Sequence, residues 1–227
     1  MYQYNDDSLM LHNDLYQINM AESYWNDGIH ERIAVFDLYF RKMPFNSGYA
    51  VFNGLKRVVN FIENFGFTNE DITYLKSIGY EEDFLNYLKD LKFTGNIKSM
   101  QEGEICFGNE PLLRVEAPLI QAQLIETILL NIINFQTLIA TKASRIRQIA
   151  THDTLMEFGT RRAQEIDAAL WGARAAFIGG FDSTSNVRAG KLFNIPVSGT
   201  HAHALVQTYG DEYIAFKKYA EIGRAHV

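Results

Sequence analysis

The chain has 227 residues, 47% hydrophobic and 21% charged, with a formal net charge of -6 and a pI near 5.5. That length holds one large domain or two modest ones around a real apolar core. The acidic balance excludes a general positive field for a nucleic-acid backbone or an anionic membrane surface, so neither is expected as a partner.

The single cysteine, Cys106, cannot form an internal disulfide or a cysteine-rich metal site, which fits a reducing compartment. Residues 1–7 are polar and acidic rather than basic and then apolar, so no secretory signal is expected and the cytoplasm is the expected location. Up to about Pro118 the pattern is mixed: a helix over 14–24, a strand over 34–40, then helices over 55–65, 69–77 and 82–91. Two strand-like runs, 104–107 and 111–115, flank Gly108-Asn109-Glu110 and read as a β-hairpin. The segment 119–149 reads as a long helix with a candidate break at 131–134. Its amides, Gln121, Gln123 and Gln136 among them, make it too polar for a bilayer span and suit it to a buried amphipathic role.

Beyond residue 149 the period changes to strand 154–158, helix 163–173, strand 175–178, helix 185–192 and strand 195–197. Such alternation with short connections implies parallel strands with right-handed crossovers, hence an α/β barrel or an open parallel sheet. The expected organisation is an α+β domain over 1–118, the first part of an α/β domain over 119–221, and a non-native tail over 222–227.

The unusual residues follow those strands, on the rim where parallel α/β folds carry their ligands. Arg161 and Arg162 suit a carboxylate or phosphate, or equally a salt bridge to Glu165 or Asp167. Gly179 and Gly180 allow close backbone approach, and Ser183, Thr184, Ser185 and Asn186 offer hydroxyls, an amide and N–H groups to a phosphate, or serve as helix caps. No Gly-Lys-Ser/Thr follows, so this is not a Walker A loop. His201 and His203 lie two apart after Gly199-Thr200 and can supply a base, a nucleophile toward phosphorus, or half of a metal site whose nearest further acid is Asp182. Tyr16 follows the helix cap Asn13-Asp14 and is either a core aromatic or a flat stacking face.

Six runs carry a resemblance: Asn13-Asp14-Leu15-Tyr16-Gln17, Glu126-Thr127-Ile128-Leu129-Leu130-Asn131, Thr137-Leu138-Ile139-Ala140-Thr141-Lys142-Ala143, Glu157-Phe158-Gly159-Thr160-Arg161-Arg162-Ala163-Gln164, Gly179-Gly180-Phe181-Asp182-Ser183-Thr184-Ser185-Asn186 and Gly199-Thr200-His201-Ala202-His203. In order and spacing they resemble nicotinate phosphoribosyltransferases over about residues 8–221. The resemblance implies that nicotinate and 5-phosphoribosyl 1-diphosphate give nicotinate mononucleotide and diphosphate, with ATP hydrolysis coupled through a phosphohistidine and Mg2+ accompanying the diphosphate. It implies that His203 rather than His201 is phosphorylated and that Tyr16 and Thr200 hold nicotinate, the tyrosine by stacking. Arg161 and Arg162 would bind anionic groups, and Ser183, Thr184, Ser185 and Asn186 would line the same pocket. The implied fold is an irregular TIM-like α/β barrel of the type II phosphoribosyltransferase kind, incomplete here, behind an α+β N-terminal domain, and the implied assembly is a homodimer.

Family members continue well beyond the third barrel strand, so a truncated form is expected. The ending Ile222-Gly223-Arg224-Ala225-His226-Val227 departs from the family pattern, and His226 is given no role. Two alternatives stand beside the transferase: a metal-dependent barrel hydrolase with His201 and His203 as ligands, and an inactive truncated fragment of the transferase.

Overall fold

A computed structural model describes residues 9–223, and its elements fall into two units, Met1–Thr141 and Lys142–Val227. The first unit contains α1 (Leu15–Asn26), β1 (Ile33–Leu38), β2 (Ala50–Val51), α2 (Leu55–Glu63), α3 (Asn69–Ser77), α4 (Glu82–Asp90), β3 (Asn96–Ser99), β4 (Ile105–Cys106), β5 (Leu113–Pro118) and most of α5 (Leu119–Ile149). The expected helices and the first strand are present, with ends displaced by one to a few residues. Helix α3 is started by a capping box in which Thr68 Oγ1 accepts from Asp71 N–H at 3.1 Å and Asp71 Oδ2 accepts from Thr68 N–H at 2.7 Å.

The expected hairpin does not form. Strand β5 lies antiparallel between β1 and β3, while β4 pairs with β2. The physical reason is burial: Leu113, Val115 and Ala117 alternate inward with Arg114 and Glu116 outward, so β5 gains most as a central strand. Cys106 is buried at the β2 edge with its thiol on the Ala50 carbonyl. Strands β2 and β3 were not expected; β2 has only two residues and β3 is polar.

Helix α5 is continuous over 31 residues, without the break considered at 131–134. Ile120, Leu124, Ile125, Ile128, Ile132 and Ile133 are buried at helical spacing and, with Phe52, Phe84, Leu85 and Leu88, form the core of the first unit. Each fully buried side chain of this size contributes about 1.5–3 kcal/mol. Two threonines extend the seam: Val51 N–H donates to Thr141 Oγ1 at 2.9 Å and Asn53 N–H to Thr137 Oγ1 at 3.1 Å. The first unit therefore reaches Thr141 rather than Pro118, because the first turns of α5 complete its core. By length and composition alone α5 could cross a membrane, contrary to the reading of it as too polar, but 56% of its apolar window is buried inside the protein, as in a core helix.

The second unit continues from the end of α5 through β6 (Met156–Glu157), a 3-10 turn (Thr160–Arg162), α6 (Glu165–Ile178), β7 (Ser183–Thr184), α7 (Val187–Phe193), α8 (His203–Tyr209) and α9 (Glu212–Glu221). Strands β6 and β7 pair in parallel, and a parallel bridge joins Thr184 to Val197. This is α/β alternation, but the strand expected over 175–178 is the last turn of α6. The run Ala173-Arg174-Ala175-Ala176 favours helix, alanine being the strongest helix former. Gly179 then caps the helix, and Gly180, at a φ of 105°, turns the chain toward the real strand at Ser183. Helices α6 and α7 pack through Leu170, Ala173 and Ala189, with Trp171 and Phe193 rings 5.0 Å apart. Of the tail expected over 222–227, residues 224–227 lie outside the described residues.

Candidate functional site

In the second unit three parallel neighbours, Glu157, Thr184 and Val197, end side by side. Their following segments line a cleft of about 540 Å3, walled by Phe158, Arg161, Ser185, Ser198, Thr200 and His201, with Tyr219 of α9. Short parallel strands hold their ends rigidly while the loops after them vary, which is why such rims carry ligands.

Among the expected residues, Arg161, Ser185 and Thr200 meet in this cleft. Arg161 lies on the 3-10 turn, exposed, and neither it nor Arg162 pairs with Glu165 or Asp167 among the described residues. The salt-bridge reading of the arginine pair therefore has no support here. Arg162 is exposed on the same turn but is not part of the cleft wall.

Ser183 and Thr184 form strand β7 itself and are buried, so they do not offer hydroxyls to a rim. The displaced strand explains the difference: Gly179-Gly180 precedes β7 instead of following a strand. Asn186 caps α7, its Oδ1 accepting from Ala189 N–H at 3.0 Å, and lines a separate cleft with Glu165 and Arg188. The capping reading holds for Asn186.

The two histidines differ. The His201 ring lies 4.9 Å from Phe216 in an edge-to-face arrangement and 5.7 Å from Tyr219, so α9 braces it. His203 is the first residue of α8, exposed, and its side chain makes no hydrogen bond, ion pair or ring contact among the described residues. Tyr16, in the first unit, is on the first turn of α1 with 52% of its surface exposed, and its hydroxyl accepts from Gln17 Nε2 at 3.0 Å.

Asp182 is committed elsewhere. Its Oδ2 accepts from Leu155 N–H at 2.7 Å and from Arg147 Nη2, and these contacts, the backbone one first, hold its carboxyl below the usual carboxylate range. Arg147 also donates to the carbonyls of Gly180, Ala150 and Asp153. Among the described residues no three His, Cys, Asp or Glu side chains come together to hold a metal ion.

Reading the sequence overlooked Glu157, Ser198 and Tyr219. Glu157 opens one quoted run and Ser198 immediately precedes another, each beside a more conspicuous neighbour, whereas nothing in the linear pattern joins Tyr219 to the cleft. Its place there follows from how α9 packs.

Comparison with known proteins gives a consistent result. The family model described as nicotinate phosphoribosyltransferase (NAPRTase) N-terminal domain matches residues 11–134. Over 221 residues the chain is 66% identical to the nicotinate phosphoribosyltransferase of Bacillus subtilis (strain 168), covering 97% of this chain and 45% of that protein. It is 44% identical to the Caenorhabditis elegans protein of the same name, covering 86% of this chain and 36% of the relative. The chain thus spans less than half the length of these curated relatives. Among solved structures, human nicotinic acid phosphoribosyltransferase superposes with a TM-score of 0.81 at 39% identity, over 86% of this chain and 40% of that one. A nicotinate-nucleotide pyrophosphorylase from Pyrococcus furiosus gives 0.79 at 24% identity over 98% and 49%, a likeness of fold alone.

Proposed function

Since the chain belongs to the nicotinate phosphoribosyltransferase family, we propose that it forms part of an enzyme joining nicotinate to the ribosyl group of 5-phosphoribosyl 1-diphosphate, with nicotinate mononucleotide and diphosphate as products. The observation that carries this reading is the convergence of Arg161, Ser185, Ser198 and Thr200 on one cleft at the ends of parallel strands. An exposed guanidinium with no ion-pair partner among the described residues offers two parallel N–H donors to a carboxylate or phosphate, beside the hydroxyls of Ser185, Ser198 and Thr200.

In this reading Thr200 contacts nicotinate, and for Tyr16 of the first unit the family resemblance implies a stacking role, for which its exposed ring is suited. Arg161 takes an anionic group of a substrate. Arg162, on the same turn, is assigned to a second anionic group on the family resemblance. Ser185 lines the pocket, whereas Thr184 and Asn186 act through the framework, the one bonded to Glu157 and the other capping α7, and Ser183 is buried away from the cleft wall. Ribosyl transfer develops positive charge at the anomeric carbon as diphosphate departs, so the polar cleft wall serves to bind and orient the anionic partners around it.

The coupling to ATP is assigned to His203. An imidazole nitrogen attacks the terminal phosphorus, the bond to the bridging oxygen breaks and ADP leaves; water later releases phosphate from the ring. Both histidines are exposed, and His201 rather than His203 lines the cleft; the choice of His203 rests on the family resemblance, and its unengaged ring, beside a His201 ring packed against Phe216 and Tyr219, is compatible with it. Magnesium is proposed to enter with the diphosphate groups. No step is assigned to it, since such an ion is held mainly by phosphate oxygens and water.

The incomplete barrel of the type II phosphoribosyltransferase kind belongs to this reading, supported by the parallel β6, β7 and Val197 alignment. So do a cytoplasmic location and a homodimer of the longer protein. The hydrolase alternative would need a third ligand beside His201 and His203, and no such group forms among the described residues. The test is incubation with ATP labelled at the terminal phosphate, alongside assay of nicotinate mononucleotide formation. Acid-labile label lost in His203→Ala and kept in His201→Ala is expected; label that survives His203→Ala overturns the assignment.

A further inference from the structure

Glu157 ends β6, half-buried, and both of its carboxylate oxygens are engaged. Oε1 accepts from the N–H of Gly159, the residue that caps the turn carrying Arg161. Oε2 accepts from Thr184 Oγ1 at 2.7 Å. The same hydroxyl oxygen accepts from Asn186 N–H at 3.0 Å, and the Thr184 carbonyl accepts from Ser198 N–H at 3.1 Å. One carboxylate therefore ties the Arg161 turn directly to β7, and through Thr184 to the Ser185–Asn186 turn and the start of the Ser198–Thr200 loop. An ionised carboxylate is acceptor-only and receives both donors; a glutamine has a single acceptor oxygen. Glu157 does not itself line the cleft.

Resting on the reading of this cleft as the anion site, we propose that Glu157 is a positioning residue that fixes the Arg161 turn against the Ser185 turn, so that guanidinium and hydroxyl meet the ligand together. The sign of one substitution separates this role from plain electrostatics. A carboxylate near an anion site repels the anion, so if charge were its only effect Glu157→Gln would tighten binding. Positioning demands the opposite, because the amide exchanges two charge-assisted bonds for weaker neutral ones and must reverse the Thr184 contact, Nε2 donating to a hydroxyl oxygen that already accepts from Asn186 N–H. Gly159 provides a second, chemically different handle. A Cβ there would stand 2.6 Å from Glu157 Oε1, and its φ of -77° is open to alanine. Gly159→Ala thus displaces the carboxylate while leaving its charge.

The experiment is calorimetric titration of nicotinate, and separately of 5-phosphoribosyl 1-diphosphate, into the unsubstituted chain, Glu157→Gln, Gly159→Ala, Arg161→Ala and the double variant Glu157→Gln/Arg161→Ala, each with its thermal midpoint. Glu157→Gln and Gly159→Ala are expected to weaken at least one ligand by roughly 3- to 10-fold, the value of about one net hydrogen bond. Glu157→Gln should add nothing once Arg161 is removed, since the two act as a unit. Two different variants are used so that a loss of folding in either leaves the other to decide. Binding that depends on Arg161 yet is unchanged or tighter in Glu157→Gln, or losses that add fully in the double variant, overturn the positioning role alone. Absence of binding to the unsubstituted chain, or binding indifferent to Arg161→Ala, overturns the reading of the cleft and this proposal with it.

Discussion

Arg147, near the end of α5, forms an ion pair with Asp182, just before β7, and its guanidinium also donates to the carbonyls of Gly180, Ala150 and Asp153. Because the Asp182 carboxyl is held below its ordinary value by Leu155 N–H and then by Arg147, folding favours its ionised form. That stabilisation is present above the unfolded value of about 3.9 and is lost as pH falls through the lower folded value. Thermal midpoints followed from pH 6 down to about pH 2.5 should therefore fall more steeply in the unsubstituted chain than in Asp182→Asn. Parallel curves would remove the ion pair from the account.

Gly190 of α7 packs against the Val197 bridge: a Cβ there would lie 2.3 Å from Val197 Cγ2 and 3.1 Å from the Ile195 carbonyl. Alanine gains about 1 kcal/mol of helix propensity over glycine, whereas overpacking costs about 1–3 kcal/mol. Gly190→Ala is expected to destabilise the chain by roughly 1 kcal/mol net, with partial recovery in Gly190→Ala/Val197→Ala, measured by urea denaturation. A more stable single variant would contradict the close contact.

Cys106 is fully buried against Ala50, and burial pushes its thiol up to about 11. Since the thiolate is the reactive form, iodoacetamide at pH 8 should leave the native chain unmodified and label it promptly in denaturant. Rapid labelling of the native chain would show that the β2–β4 edge opens.

His201 is held by Phe216 and Tyr219 of α9. Aromatic pairs of this kind contribute about 0.5–1.5 kcal/mol beyond area burial. His201→Ala should destabilise the α8–α9 end by about that amount, read by hydrogen exchange of α9 amides, while His201→Phe should retain most of the protection. Equal loss in both variants would point to polar contacts of the imidazole instead of its packing.

Much of this was legible from the linear pattern, and its limits are physical. The α5 stripe, the α3 span 69–77 and the run Gly159-Thr160-Arg161 after β6 obey local rules of period and turn chemistry, which is why they are legible residue by residue. The hairpin around Asn109 failed because partner choice among antiparallel strands depends on which face can be buried, and β5 had better partners in β1 and β3 than in β4. The strand expected over 175–178 failed because an apolar run of that length is ambiguous between helix and strand until its packing is known.

The sequence by itself determined the family, through the spacing of its six runs; the expectation of His203 over His201 comes from that pattern of residues alone and involves no distances. Only the tertiary structure decided which polar residues share a cleft. It set Arg161, Ser185, Ser198 and Thr200 on one wall, buried Ser183 and Thr184 in a strand, committed Asp182 to Arg147 and made Glu157 the tie between two loops. Hydrogen bonds and burial between segments distant in sequence are made by the fold as a whole, and no local periodicity encodes which donor an acceptor will meet.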